Sequence, residues 1–198
     1  MHRYVSDKTL ALRQGFFIAR CCKILFMQGK KVVFVIAPGN FRDEELFHPK
    51  EALESKNVSV QIASISKGFF AGKLGAKAEA TLSLEDAKAE NFDAIIFVGG
   101  PGASIYFSNP KAHALARDFY SKGKITSAIC IAPSILANAG LLKGKKATCF
   151  PSEAQNLKAK GAVYTGNPVE TDGLIITADG PSSAKAFGKE IAKLLAKS

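Results

Sequence analysis

From Lys31 onward the chain alternates between short continuous apolar runs and amphipathic stretches. Residues 32–37, VVFVIA, form an apolar run closed by Pro38-Gly39-Asn40, which reads as a buried strand and a turn. Asp43 to Lys56 is helical in character, with Asp43, Glu44 and Glu45 in the first turn, where the helix dipole favours acids. Pro49 lies inside it and denies the Glu45 carbonyl its helical partner, so a kink is expected at Glu45. Asn57 can close the helix, and Val58–Ser64 alternates as a second strand.

Ile65–Leu84 holds Gly68, Gly72 and Gly75 among short apolar pieces and reads as a hairpin or irregular excursion. Leu84–Asn91 is expected to be one short helix, and Asp93–Val98 a buried strand running into Gly99-Gly100-Pro101-Gly102. A helix from Asn109-Pro110 to about Lys122 carries Ala112, Leu115, Ala116 and Phe119 on one face. Then comes KITSAICIAPSILANAG: a strand over Ile125–Ile129, Cys130 at its end, and a helix opened by Pro133 and stopped near Gly140. A strand at Lys146–Phe150, a helix at Ser152–Lys160, and strands at Ala162–Thr165 and Leu174–Ala178 follow. The last helix starts at Pro181, with Ala184, Phe187, Ile191, Leu194 and Leu195 at helical spacing. Strands and helices in alternation predict an α/β fold, a parallel sheet covered on both faces, with ligands at the carboxyl ends of its strands.

Composition narrows the class. With 198 residues, 47% hydrophobic and 22% charged, the chain suits one soluble domain and has no apolar run that spans a bilayer. Four cysteines without regular spacing, no C-x-x-C and no His/Cys cluster argue against a disulfide framework or a structural metal site. A reducing cytoplasm is the expected compartment. The net charge of +10 is concentrated at the start: Arg3, Lys8, Arg13, Arg20, Lys23, Lys30 and Lys31 face one acid, Asp7. The remaining lysines are scattered, no nucleic-acid motif accompanies them, and neither nucleic acid nor membrane is an expected partner. Residues 1–29 read as an extension, whether an organelle-targeting peptide, a disordered segment or a misassigned start, and residues 30–198 as the domain.

Three features meet at the strand ends. A Cys on a strand-to-helix turn stands where backbone N–H groups favour thiolate, although a free Cys is as often a buried structural residue. Cys130 occupies that place without the literal G-x-S-x-G pattern of a nucleophile elbow. Gly99 and Gly100 end another strand and, with the N–H of Ile131, could form an oxyanion hole; alone they are equally a tight turn. No dinucleotide fingerprint starts at Gly100, because residue 105 is Ile, and no Walker G-K-[ST] follows. Glu45, just after the first strand, reads alone as a solvated helix-start acid.

The pieces FVIAP, FRDEELFHPKEALE, FDAIIFVGGPGA, AIC-x-AP-x-ILA-x-AGLLKGKKAT and DGLIITADGP-x-x-A resemble the DJ-1/ThiJ/PfpI superfamily, in one order from about Lys31 to the C-terminus. The resemblance implies a flavodoxin-like three-layer sandwich with a mostly parallel central sheet, a cysteine nucleophile elbow, and a homodimer or higher homo-oligomer. It implies a nucleophilic Cys130, a buried acid at Glu45, and the Gly99 and Gly100 backbone beside the sulfur. No cofactor and no metal are expected. The implied activities are cofactor-free glyoxalase, deglycase or a related carbonyl hydrolase acting on small 2-oxoaldehydes, with redox sensing or chaperone roles, and proteolysis, in other branches. The chain departs from the family where Ile131 replaces the His that follows the nucleophile in protease-like members, and where Phe150 stands before Pro151 in place of a His. His48, three residues beyond Glu45, could share its helix face and line the site, or lie on the helix surface. No H-x-E exists, which excludes an amidotransferase-like triad. A thiolate beside a carboxylate is a like-charge pair, so Glu45 is expected protonated and the Cys130 thiol acidic. Peptide cleavage needs a proton donor for the amine, so proteolysis is disfavoured, while a peroxide sensor needs the same thiolate as a glyoxalase. Cys149 reads as inert core.

Overall fold

Successive residues of a strand point to opposite faces, so a sheet covered on both faces needs apolar residues at every position. The computed structural model describes Met27 and residues 29–198; the expectations for residues 1–26, His2 included, fall outside the described residues. β1 (Lys31–Val35) leads to α1 (Asp43–Glu54), β2 (Ser59–Ser64), β3 (Gly68–Ala71), β4 (Lys77–Ala80) and β5 (Leu82–Ser83). Then come β6 (Ala94–Phe97), α2 (Pro110–Ser121), β7 (Ile125–Ile129) and α3 (Pro133–Asn138). β8 (Lys146–Ala147), α4 (Ala154–Ala159), β9 (Val163–Tyr164), β10 (Val169–Asp172), β11 (Ile175–Ala178) and α5 (Ala184–Leu195) complete the chain.

Seven strands form the central sheet in the order β10-β11-β7-β6-β1-β2-β5. All pairings are parallel except that of β10 with β11. Val33, Val35, Ile95 and Phe97 face one layer, where they meet Leu115 and Phe119 of α2 and Ile135 and Leu136 of α3. Val32, Phe34 and Ile96 face the other, against Leu46 and Leu53 of α1 and Phe187 and Ile191 of α5. The result is the expected three-layer sandwich. The chain leaves β1 toward β2 on one side and returns to β6 on the other, so the strand order reverses between β1 and β6, where open α/β sheets bind ligands.

Several boundaries differ from the sequence expectation. Leu84–Asn91 is not one helix: Ser83 and Asp86 bond each other's side chains and backbone, which holds a turn, and a short 3-10 helix covers only Ala89–Asn91. The strand expected at Lys146–Phe150 stops at Ala147, because Thr148 N–H donates to Thr177 Oγ1 and Phe150 N–H donates to the Cys130 carbonyl. The helix expected from Ser152 starts with a 3-10 turn at Pro151–Glu153. α1 runs through Pro49 as one helix, and Asn57, at φ 60°, turns the chain beyond it. β3 and β4 form the expected hairpin as a separate two-stranded sheet.

Candidate active site

β7 delivers Cys130 to the carboxyl edge of the sheet, and the chain turns there into α3. Cys130 has φ 63°, in the left-handed region that costs a residue with a Cβ about 1–2 kcal/mol. Its neighbours hold it there: its N–H donates to the Ala178 carbonyl (2.9 Å) and its carbonyl accepts from Phe150 N–H (2.7 Å).

α1 starts at Asp43 with Arg42 in the extended conformation before it. Glu45 therefore falls in the first turn, and its carboxyl is fully buried rather than solvated. Gly99 lies between the acid and the thiol. A Cβ on Gly99 would sit 2.5 Å from Glu45 Oε2 and 2.7 Å from Cys130 Cβ, so only glycine lets these two groups close over the β6 end. A Cβ on Gly100 would strike the backbone of Asn40, Phe41 and Arg42, and Arg42 N–H donates to the Gly99 carbonyl (3.0 Å). The sequence features Cys130, Glu45, Gly99 and Gly100 are thus brought together, and Ile131 follows the thiol directly. Among the described residues, the N–H groups of Gly99, Gly100 and Ile131 donate to no backbone carbonyl.

The charges of the pair are coupled. Burial pushes the Glu45 carboxyl up to about 7, against the weaker pull of the Cys130 thiol, the Gly99 backbone and Arg42. The thiol and Gly99 act on its titration without closing a bond of normal geometry, and neither Glu45 oxygen has a hydrogen-bond partner among the described residues. Burial, then the Glu45 charge, pushes the Cys130 thiol up to about 12, while the N–H groups of Gly100 and Ile131 pull it down. The acidic thiol expected from the N–H groups alone is therefore corrected. Desolvation outweighs those donors, and one negative charge is the most the pair carries near neutral pH.

A cleft of about 200 Å³ opens over the pair, with Ile131, Phe150, Pro101 and Pro181 as apolar walls and Arg42 and Lys73 as cations. Phe150 thus stands at the site. His48 does not line the cleft; it faces elsewhere on α1, with a buried Nδ1 that has no partner among the described residues. His113 is tied through Nε2 to the Phe107 carbonyl (3.0 Å). Sequence reasoning missed Arg42 and Lys73. Arg42 lies three residues from Glu45, a helical spacing that could have flagged it, whereas Lys73 arrives from the β3–β4 hairpin and left no sequence signal. Among the described residues no group of three or more His, Cys, Asp or Glu side chains could hold a metal ion, and no helix is long and apolar enough to cross a membrane.

The DJ-1/PfpI family model matches residues 30–194. A protein of Methanocaldococcus jannaschii described as uncharacterised is 44% identical over 174 residues, covering 86% of this chain and 85% of the relative. A deglycase of Pyrococcus horikoshii is 33% identical over 165 residues, covering 83% and 99%. Among solved structures, a ThiJ/PfpI domain protein from Brachyspira murdochii superposes with a TM-score of 0.84 at 31% identity, covering 86% of this chain and 99% of that one.

Proposed function

Because the chain belongs to the DJ-1/PfpI family, we propose that it is a cysteine-dependent, cofactor-free glyoxalase or related deglycase-like carbonyl hydrolase acting on small 2-oxoaldehydes. The observation that carries this reading is the buried pair of Cys130 and Glu45 under the cleft.

A carboxyl with its midpoint near 7 is matched to general acid–base work near neutrality. Its carboxylate takes the Cys130 proton as the sulfur adds to the aldehyde carbon, and gives it to the aldehyde oxygen, which forms a hemithioacetal. The thiol needs no free thiolate population for this, since the carboxyl lies beside it across Gly99. The N–H groups of Gly100 and Ile131, which donate to no backbone carbonyl among the described residues and favour the charged sulfur, are the donors for the oxyanion that develops in that step. Glu45 then removes the hydrogen from the former aldehyde carbon while the neighbouring ketone oxygen gains a proton. Glu45 returns its proton to the neighbouring carbon while the hydroxyl on the former aldehyde carbon gives up its proton, balancing the one taken by the ketone oxygen, and a 2-hydroxy thioester results. Water cleaves it to the 2-hydroxy acid and restores the thiol, so the sum is 2-oxoaldehyde plus water with no external oxidant.

Proteolysis asks for a proton donor to an amine leaving group and room for a peptide, and neither the lining residues nor a cleft of about 200 Å³ favours it. Redox sensing would use the same sulfur, with the same N–H groups holding its oxidised form, and it differs from the enzyme reading in giving no turnover. The test is lactate formation from methylglyoxal by the purified protein, beside Cys130→Ser and Glu45→Gln. Turnover that both substitutions lower by at least about a hundredfold supports the mechanism. Turnover that survives either one, or stoichiometric oxidation of Cys130 with no lactate, overturns it.

A further inference from the structure

The floor of the cleft accounts for the reacting carbonyl but not for the rim. Lys73 and Arg42 line the opening, and among the described residues Glu45 is its one lining carboxyl, at the floor. Arg42 is already balanced: its Nε and Nη2 donate to Glu44 at 2.9 and 3.2 Å. Lys73 is exposed and forms no ion pair among the described residues, so it leaves an uncompensated positive charge at the mouth.

The segment that carries Lys73 is built rather than merely connecting. Asp43 is buried at the start of α1, and its carboxylate accepts from Leu74 N–H (2.8 Å) and Ala76 N–H (2.9 Å). Lys73 N–H donates to the Phe41 carbonyl (2.8 Å), and Gly72 N–H to that of Ala76 (2.8 Å). Gly72 packs so closely on Asp43 that a Cβ there would overlap the carboxylate. A buried carboxylate is costly unless its oxygens are bonded, and here both are bonded to the loop just after Lys73. The same helix turn that supplies Glu45 therefore fixes the backbone of Lys73 over the cleft.

Resting on the carbonyl-hydrolase reading, we propose that the substrate is a 2-oxoaldehyde bearing an anionic group, carboxylate or phosphate, at the end away from the reacting carbons, and that Lys73 receives it. The floor pair carries at most one negative charge, which repels an anionic substrate unless a cation at the rim offsets it. The apolar walls of Ile131 and Phe150 seat the short carbon chain between the two ends.

The full-length protein is assayed for kcat/KM on methylglyoxal, on a 2-oxoaldehyde with a terminal carboxylate and on one with a terminal phosphate, at fixed ionic strength. Lys73→Met, Lys73→Glu and a remote control, Lys193→Met, are run beside it. The expected result is a preference for an anionic substrate over methylglyoxal that falls about three- to tenfold in Lys73→Met and further in Lys73→Glu. The Lys193→Met control keeps the preference, and added salt erodes it in the wild type. Whichever anionic substrate is preferred identifies the group. A wild type that turns over methylglyoxal as well as either anion, or a preference that survives Lys73→Glu, overturns the inference and leaves the reaction standing. No turnover of any of the three overturns both.

Discussion

Two buried thiols follow strand ends, Cys130 after β7 and Cys149 after β8. Burial is the largest cause acting on both, and each is pushed up to about 12. They differ in everything that lies around the sulfur. Cys130 stands at φ 63° on a tight turn, opens into a cleft, lies beside an acid across Gly99 and has two N–H groups that favour its charged form. Cys149 packs into the core with Leu157 and Ala147, and the Glu153 charge only raises it further. Burial and an elevated pKa therefore do not separate a nucleophile from an inert thiol. An adjacent base and donors with no backbone acceptor do.

The largest effect sought is the contrast between the two sulfurs. Cys130→Ala is expected to lower lactate formation by about a thousandfold or more. Cys149→Ala is expected to stay within about twofold of wild type while costing about 1–2 kcal/mol of stability from the cavity it leaves. Equal losses in the two variants, at matched folding by circular dichroism, would break the comparison. The next effect concerns the spacing of the pair. Gly99→Ala forces Glu45 and Cys130 apart, because the new methyl falls 2.5 Å from Glu45 Oε2. A displacement of that kind is expected to lower kcat/KM about a hundredfold, with about 1–3 kcal/mol lost from overpacking. Gly39→Ala, where a Cβ meets nothing within 4 Å, is the control that should keep its turnover.

The parts of the fold that were legible in the sequence are those that bury both faces. β1, β6 and β7 read as apolar runs because every side chain enters one of the two cores, and the turns that end them mark where the site must be. β10 was missed: Val169–Asp172 is a half-exposed edge strand with no apolar run to announce it. The meeting of Cys130 with Glu45 was legible from their places after strand ends and from the resemblance. The raised Glu45 pKa was legible in direction from the like-charge pairing, whereas the raised Cys130 pKa was not, since it depends on how deeply the sulfur is buried. Lys73 was invisible because its position is set by Asp43, thirty residues away in sequence, through two hydrogen bonds to a loop.

The smallest effect separates the acid from the thiol by pH. Glu45 is raised from 4.5 to about 7, so the folded chain holds this proton more tightly than the unfolded chain does. Its contribution to stability is fully present below pH 4.5 and is lost as pH rises through 7, because above that a charge must be kept in a site with no donor of its own. The shift corresponds to at most about 3 kcal/mol. Glu45→Gln keeps the shape and cannot ionise, so its stability relative to wild type should rise between pH 5 and pH 8 by up to about 3 kcal/mol. Urea unfolding of both proteins at the two pH values measures this. Cys130, raised to about 12, does not titrate in that window, so Cys130→Ser should show much less of the pH-dependent gain. A gain of equal size in Cys130→Ser would assign the ionisation to the sulfur, and the proton transfers in the mechanism would then have to start from a thiolate.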